Sequence, residues 1–304
     1  MAISRHQLVK ELEPGLNALF GLEYKRYDNQ HAEIYTSESS DRAFEEEVML
    51  SGFGNASVKS EGSGVAFDNA QESYSARYTH ETVALAFAIT EEAIEDNLYD
   101  KISSRYTKAL ARSMSNAKQV KAAAPLNNGL PTVDGFDSGD GVSLFNTSHT
   151  TVSGTSVKNT LTTQADLNET SLEQAMIDIA AMTDERGLRI AAKAVKMIVP
   201  SANQFAAERL MKSQGRTGTA DNDINAINSM GMIPQGYRVN NFLTDPDSYY
   251  IITDVPNGMK MFSRTPLTTS MEGDFDTGNV RYKARERYAF GASDFRGIYG
   301  VEGA

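Results

Sequence analysis

Residues 61–97 read "EGSGVAFDNAQESYSARYTHETVALAFAITEEAIEDN", and three textures follow one another within them. The first is punctuated by Gly62 and Gly64, after Gly52 and Gly54 shortly before, which predicts a flexible projecting loop. The second alternates with a period of two. Val83, Leu85, Phe87 and Ile89 fall on one face of a strand, and Ala84, Ala86 and Ala88 on the other. That small second face predicts close packing against a helix. The third begins at Thr90, a suitable N-cap, with Glu91, Glu92, Glu95 and Asp96 at the positive end of a helix dipole. A long hairpin over 46–89 therefore feeds directly into a helix.

That helix is the strongest in the chain. Ile94, Leu98, Ile102, Tyr106, Leu110 and Met114 make one stripe, and Arg105, Lys108, Arg112, Lys118 and Lys121 are assigned to its negative end. Its end is placed ahead of Pro125. About thirty residues span roughly 45 Å, which requires a sheet or a neighbour alongside.

Toward the amino terminus, Leu8, Leu12, Leu16, Leu19 and Phe20 lie at helical spacing, and Pro14-Gly15 is expected to split them into two short pieces. Polar text follows. Residues 1–45 are expected to form an arm without a core of its own, covering a neighbouring chain.

Toward the carboxyl terminus, a Gly- and Asp-rich loop (127–141) precedes irregular, extended text over 142–170. "SLEQ" predicts a capping box with Ser171 as N-cap and Gln174 as its partner, opening a helix that buries Leu172, Ala175, Met176, Ile179 and Ala180 and ends at Gly187. A buried strand is expected at 194–200, and a second box, "SANQ" at 201–204, opens a helix through about Met211. A long loop (215–231), strands near 236–243 and 249–253 and a polar linker lead to the last strand. There Arg281, Lys283, Arg285 and Arg287 alternate with Tyr282, Ala284, Tyr288 and Phe290, so one face is cationic and the other largely apolar. The order of elements indicates the α+β class.

The chain has 304 residues, 40 Asp+Glu against 29 Lys+Arg, a net charge of −11 and no cysteine. The balance argues against nucleic-acid binding as the principal task. Disulfides and thiolate metal sites are excluded. No apolar run approaches the ~20 residues of a membrane span, and residues 1–15 lack the apolar stretch of a secretory signal. Folding in a cytoplasm is the simplest expectation.

Motifs for chemistry are weak. His6, His31, His80 and His149 show no metal-ligand spacing. His149 beside Ser148 is the one catalytic candidate, and a polar loop bonded to itself is the plainer account. "GFGNAS" (52–57) lacks the third glycine of a dinucleotide turn, and "GRTGTA" (215–220) lacks the Gly-Lys-Ser/Thr of a phosphate loop. Asp134, Asp137 and Asp140 do not match a calcium-hand spacing, which favours turn chemistry. No enzyme, cofactor or metal is expected.

Several stretches together resemble the tailed-phage major capsid proteins of the Hong Kong 97 fold, particularly the Mu-like major head subunits. They are residues 61–97 quoted above, "SLFNTSHT", "SLEQAMIDIAAMTDERGLRI", "KMIVPSANQFAAERLMKS" and "GNVRYKARERYAFGASDFRGIYG". The resemblance implies an N-terminal arm (1–45), an extended hairpin loop (46–89), a peripheral domain with its spine helix (90–122), an axial domain (123–265) and a return strand of the peripheral domain with the carboxyl terminus (266–304). It further implies self-assembly through hexamers and pentamers into an icosahedral shell enclosing double-stranded phage DNA without sequence-specific binding. Virion localisation after assembly in the bacterial cytoplasm follows, with a separate scaffolding protein and a portal as partners.

Candidate inter-subunit residues are Arg281, Lys283, Arg285 and Arg287, facing carboxylates such as Glu45, Glu46 and Glu47 of another copy, with Glu91 or Glu92 as intrasubunit alternatives. Lys59 lies in the loop where certain relatives form Lys–Asn crosslinks, and a solvated lysine is the simpler account. Two alternatives are an encapsulin-type compartment shell of the same fold and a soluble hydrolase using His149.

Overall fold

The computed structural model describes residues 5–90, 92, 99–133, 135–216, 223–274 and 277–304. The expected start of the long helix, including Glu91, Glu95 and Asp96, lies outside the described residues, as do Ile94, Leu98, Asp134 and most of the "GRTGTA" loop.

Strand β11 (Val280–Ala292) is the hub of the first sheet, whose order is β1 (Thr36–Ser39), β10 (Met259–Gly273), β11, β4 (Glu81–Ile89). β10 and β4 run antiparallel to β11, and β1 runs parallel to β10. The period of two in the sequence holds. Val280, Tyr282, Ala284, Glu286 and Tyr288 are buried, whereas Arg281, Lys283 and Arg285 are exposed and Arg287 is half-buried. Two helices cover the buried face, α1 (Arg5–Arg26) and α2 (Tyr99–Asn128). Leu16 and Phe20 of α1 meet Leu110, Ala111 and Met114 of α2 over Tyr282 and Ala284.

Several expectations change here. Ala84, Ala86 and Ala88 do not face a helix. The register sets them opposite Arg285, Lys283 and Arg281, so they share the open cationic side, while Val83 and Phe87 pack into the helix-covered cluster and Leu85 is exposed. Large apolar groups, having more area to remove from water, take the covered face. α1 is one helix through Pro14, because Leu16 and Phe20 are anchored beyond the missing backbone donor. α2 likewise continues through Pro125 to Asn128, held by the fully buried Leu126. Tyr106 of the expected stripe is exposed.

The amino-terminal segment also has burial partners in its own chain. Besides α1, Ile34 and Tyr35 join the main core, Tyr35 donates to the Ala122 carbonyl at 2.6 Å, and β1 adds to the sheet. The "polar linker" is largely β10. Its alternating Thr and Ser suit a half-open strand, and Pro266 sits within the irregular register between Thr265 and Thr268.

The second sheet has the order β12 (Ile298–Val301), β9 (Tyr249–Thr253), β7 (Ala194–Val199), β8 (Tyr237–Val239). The closing strand thus pairs with β9, outside the first sheet to which the sequence assigned the carboxyl terminus. This sheet and helix α3 (Glu169–Ala181) frame the main core, with Met197, Tyr249, Tyr250, Ile251 and Tyr299 at its centre. β5 (His149–Thr150) and β6 (Ser156–Val157) form a small pair in the irregular region before α3.

The cap of α3 is Asn168, whose side chain accepts from Ser171 N at 2.8 Å while Ser171 Oγ accepts from Asn168 N at 3.1 Å. The box is one turn earlier than the sequence placed it, because Ser171 serves as its third member. Ala180 is exposed, the helix ends at Ala181 with Met182 as its C-cap, and Gly187 instead supplies a positive φ of 83° in the turn that follows. α4 (Gln204–Lys212) starts after Asn203, so Ser201 is not its cap, and the long loop beyond carries a short helix, α5 (Ala226–Met230).

β2 (Phe44–Leu50) and β3 (Glu72–Thr79) form an antiparallel hairpin that packs on one end of the first sheet through Ala76 and Tyr78, which cluster with Phe262 and Ala289. Residues 51–71 between them have no regular structure, apart from a turn at Gly62, and are closed at the base by Ser51 N–H donating to Gln71 O at 2.8 Å and Gln71 N–H to Ser51 Oγ at 3.0 Å.

Because α1 is anchored within its own chain, Phe20→Ala is expected to lower the stability of the isolated, soluble chain by about 3 kcal/mol, measured by urea denaturation. An unchanged midpoint would mean that α1 is held only by neighbouring molecules.

Candidate assembly interface

The finger at 51–71 exposes apolar side chains that its own chain leaves uncovered. Val58 and Phe67 are each 98% exposed, and Phe53 and Val65 are largely so. Leaving such groups in water forgoes roughly 1.5–3 kcal/mol for each fully buried side chain. The finger is nevertheless positioned. Asp68 accepts from Gly54 N at 2.7 Å and from Arg186 at 2.7 Å, which ties it to the turn after α3 and holds its carboxyl below the usual range. Gly52 and Gly54, the incomplete dinucleotide motif, therefore serve this loop. Lys59 stands exposed near the tip with no partner among the described residues.

At the finger's root, the buried Lys260 ammonium lies 2.5 Å from Glu47 and 3.1 Å from Glu38. Burial alone would lower its pKa, but the two carboxylates outweigh that and hold the ammonium above its ordinary value. One cation thus joins β1, β2 and β10. Glu47 also receives a hydrogen bond from Ser293. Glu45 accepts from Ser40 Oγ at 2.7 Å, and that hydroxyl is 2.8 Å from His80 Nε2. Glu45 and Glu47 are therefore engaged within their own chain and are not the free acceptors expected from sequence. Glu46 is exposed and makes only a 3.7 Å pair with Arg77.

The open face of β11 carries a shallow cavity lined by Ala86, Ser270, Glu272, Asp274, Arg281 and Lys283. Lys283 and Arg285 rise between Ala84 and Ala86 on one side and Thr268 and Ser270 on the other. Arg281 is paired with Asp274 at 2.5 Å, whereas Lys283 and Arg285 meet no carboxylate among the described residues. Arg287 turns inward beside His80, and burial followed by that guanidinium lowers the imidazole pKa. Of the intrasubunit alternatives, Glu91 lies outside the described residues and Glu92 is exposed. On the opposite face Glu286 is buried 3.2 Å from Lys118. Burial outweighs the lysine there and raises the carboxyl pKa. Sequence reasoning missed this pair, although an acidic residue in an otherwise apolar row was the available signal.

His149 is fully buried and cannot receive a substrate. Its Nδ1 lies 2.6 Å from Asp140 Oδ2, its Nε2 lies 3.1 Å from Asn159 Oδ1, and its ring stacks on Phe295 at 3.8 Å. Ser148 Oγ instead meets Ser156 Oγ at 2.9 Å on the surface. The Asn159 amide donates to the carbonyls of Leu144, Phe295 and Ile298, so the cluster staples the irregular region to the carboxyl terminus. The hydrolase alternative loses its base. Asp140 is spent on His149 and is not available to a cation with Asp137. Among the described residues no group of three His, Cys, Asp or Glu is placed to hold a metal.

An α+β body with an exposed apolar finger and an exposed cationic strand face offers surfaces of the kind that subunits use to associate. The family model described as phage capsid protein matches residues 73–301, and the chain belongs to that family. It is a phage major capsid protein, and its fold is of the Hong Kong 97-like capsid type.

Solved structures of similar fold include the capsid of Myoviridae phage XM1 (13% identity, 89% of each chain, TM-score 0.55). The procapsid of bacteriophage JBD30 matches at 13% identity over 99% of this chain and 77% of that one, with a TM-score of 0.54. A virus-like particle from Pyrococcus furiosus matches at 10% identity over 95% and 98%, with a TM-score of 0.54. No curated protein matches.

The staple generates a pH dependence. Burial pushes the Asp140 pKa up, but its hydrogen bond and charge interaction with His149 outweigh this and leave it below the ordinary value. Its stabilisation is therefore present above about pH 4 and is lost as pH falls through the lowered pKa. Asp140→Asn is expected to cost about 1–3 kcal/mol near neutrality through the weakened buried hydrogen bond, with the gap from the unsubstituted chain closing in acid. Denaturant titrations between about pH 2 and 7 would show this; a gap independent of pH over that range would refute it.

Proposed function

We propose that this chain closes an icosahedral shell through hexamers and pentamers, with finger 51–71 of each copy covered by its neighbour. The observation that carries this is the finger itself: a hydrogen-bonded base with Phe53, Val58, Val65 and Phe67 left in water. Obligate interfaces gain chiefly from apolar area, and many weak contacts in a closed symmetric array add up while each step stays reversible.

Lys283 and Arg285 serve the edges between subunits, with Glu46 the freest acceptor of the three acidic residues at 45–47. Arg281 and Arg287 support them from positions already satisfied or half-buried within the chain. Lys59 contributes a tip contact to the neighbour. The arm, extended-loop, peripheral and axial divisions are kept as a proposal with three changes: β4 goes with the peripheral sheet, the arm is anchored on its own chain, and β12 joins the axial sheet. The shell encloses double-stranded phage DNA, forms in the bacterial cytoplasm and works with a separate scaffolding protein and a portal. Within the family we place the chain beside the Mu-like head subunits, on the order of its quoted segments. An encapsulin-type shell shares the fold, but no feature of this chain favours it.

Expression of Phe53→Asp/Phe67→Asp is expected to give soluble, folded capsomers or monomers where the unsubstituted chain gives particles, read by gradient sedimentation and negative-stain microscopy. Particles in normal yield would remove the finger from assembly. Separately, Lys283→Glu/Arg285→Glu should reduce particle yield by about tenfold or more, an effect of repeated like-charge contacts. Undiminished yield would exclude the interfacial role of the strand.

A further inference from the structure

Residues 101–133 contain no aspartate or glutamate, although the chain holds 40 of them, and they contain six Lys and Arg. The described part of α2 accounts for most of this stretch. Two of its cations have structural work: Lys118 pairs with Glu286 and Lys121 with Glu81. Arg105, Lys108 and Arg112 are exposed and have no ion pair among the described residues. The helix dipole does not account for them either. α2 runs on to Asn128, so they lie in its amino-terminal half, and its last turn holds no basic residue. They also stand three and four residues apart, where like charges repel and destabilise a helix.

We propose that this face of α2 contacts the phosphate backbone of duplex DNA without regard to sequence. The proposal rests on the reading of the chain as a DNA-enclosing shell. Arg105 and Arg112 are seven residues apart, about 10 Å along the helix axis. Ala109, Ser113 and Asn116 are exposed on the same side, so nothing bulky keeps a backbone away from the cations between them. Serine hydroxyls and asparagine amides are themselves common phosphate donors. A stable protein interface would instead present a cluster of apolar or aromatic anchors, and this face has Tyr106 and Val120 only at its margins.

The open face of β11 is a weaker candidate, since Arg281 is neutralised by Asp274 and Glu272 lies opposite it in the register. Three cations on an otherwise acidic body give weak contact, repeated over many copies, and do not conflict with DNA release.

Counterion release supplies the test. Three phosphate contacts contribute a slope of about −2.7 in log affinity against log salt, or roughly a 40-fold loss between 50 and 200 mM. Binding of a fluorescent 30-base-pair duplex to the full-length chain and to its particles would be followed by anisotropy across that range. Arg105→Gln/Lys108→Gln/Arg112→Gln should flatten the slope by about 2.7, while Arg189→Gln/Lys193→Gln, at two exposed cations away from α2, should leave it near that of the unsubstituted chain. An unchanged slope in the triple variant, with an unchanged urea midpoint, would overturn the proposal. So would poly-glutamate displacing the duplex at matched charge from the unsubstituted protein, which would assign the face to a carboxylate-bearing protein. Microscopy of the same samples separates the two claims: particles that fail to bind DNA leave the shell standing, and absence of particles counts against the shell alone.

Discussion

β11 has to satisfy two environments at once, and the first sheet is organised around that demand. Its buried side chains require a cover that neither β10 nor β4 can provide, since both lie in the plane of the sheet. α1 and α2 supply it, with Phe20, Met114 and Tyr282 in a single cluster. The cover brings Lys118 over the one acidic residue in the buried row, Glu286, and a pair so enclosed is costly to break. The other face is left open and carries the cations. Packing and exposed charge are thus two consequences of one alternation.

The finger and its root divide the labour differently. The root is over-determined: Lys260 bonds to carboxylates on two other strands, and Ser51 and Gln71 close the base of the loop. The tip has no such support, and among the described residues its apolar groups find no partner. Under the proposed assembly, a fixed root with an uncovered tip would meet a neighbour without the entropy loss of ordering the whole hairpin on contact. Elsewhere, buried polar networks hold the carboxyl terminus in place. Arg296 lies 2.7 Å from Glu185 and 3.2 Å from Asp294, next to the His149–Asn159 staple. Such networks contribute more to a single arrangement of chain ends than to net stability.

Charge is distributed unevenly. A chain with a net charge of −11 keeps one stretch around α2 free of acidic residues and sets its strand cations on the far side of the same layer. Both outer faces of that layer are therefore locally basic, which net charge alone conceals.

Local periodicity made much of this legible. The alternation at 280–292 and 83–89, the glycine-punctuated loop, the short strands at 194–199 and 249–253 and the long helix could all be read from spacing, because each repeats within a few residues. The order of those elements sufficed for the capsid family. What spacing could not decide was which partner each face would meet. Only the assembled layers turned the alanines of β4 outward, carried helices through Pro14 and Pro125, enlisted a Thr- and Ser-rich linker as β10 and spent Glu45, Glu47 and His149 on contacts at home. Those outcomes depend on residues far apart in the chain competing for the same buried area and the same hydrogen-bond donors, and no window of sequence contains both competitors.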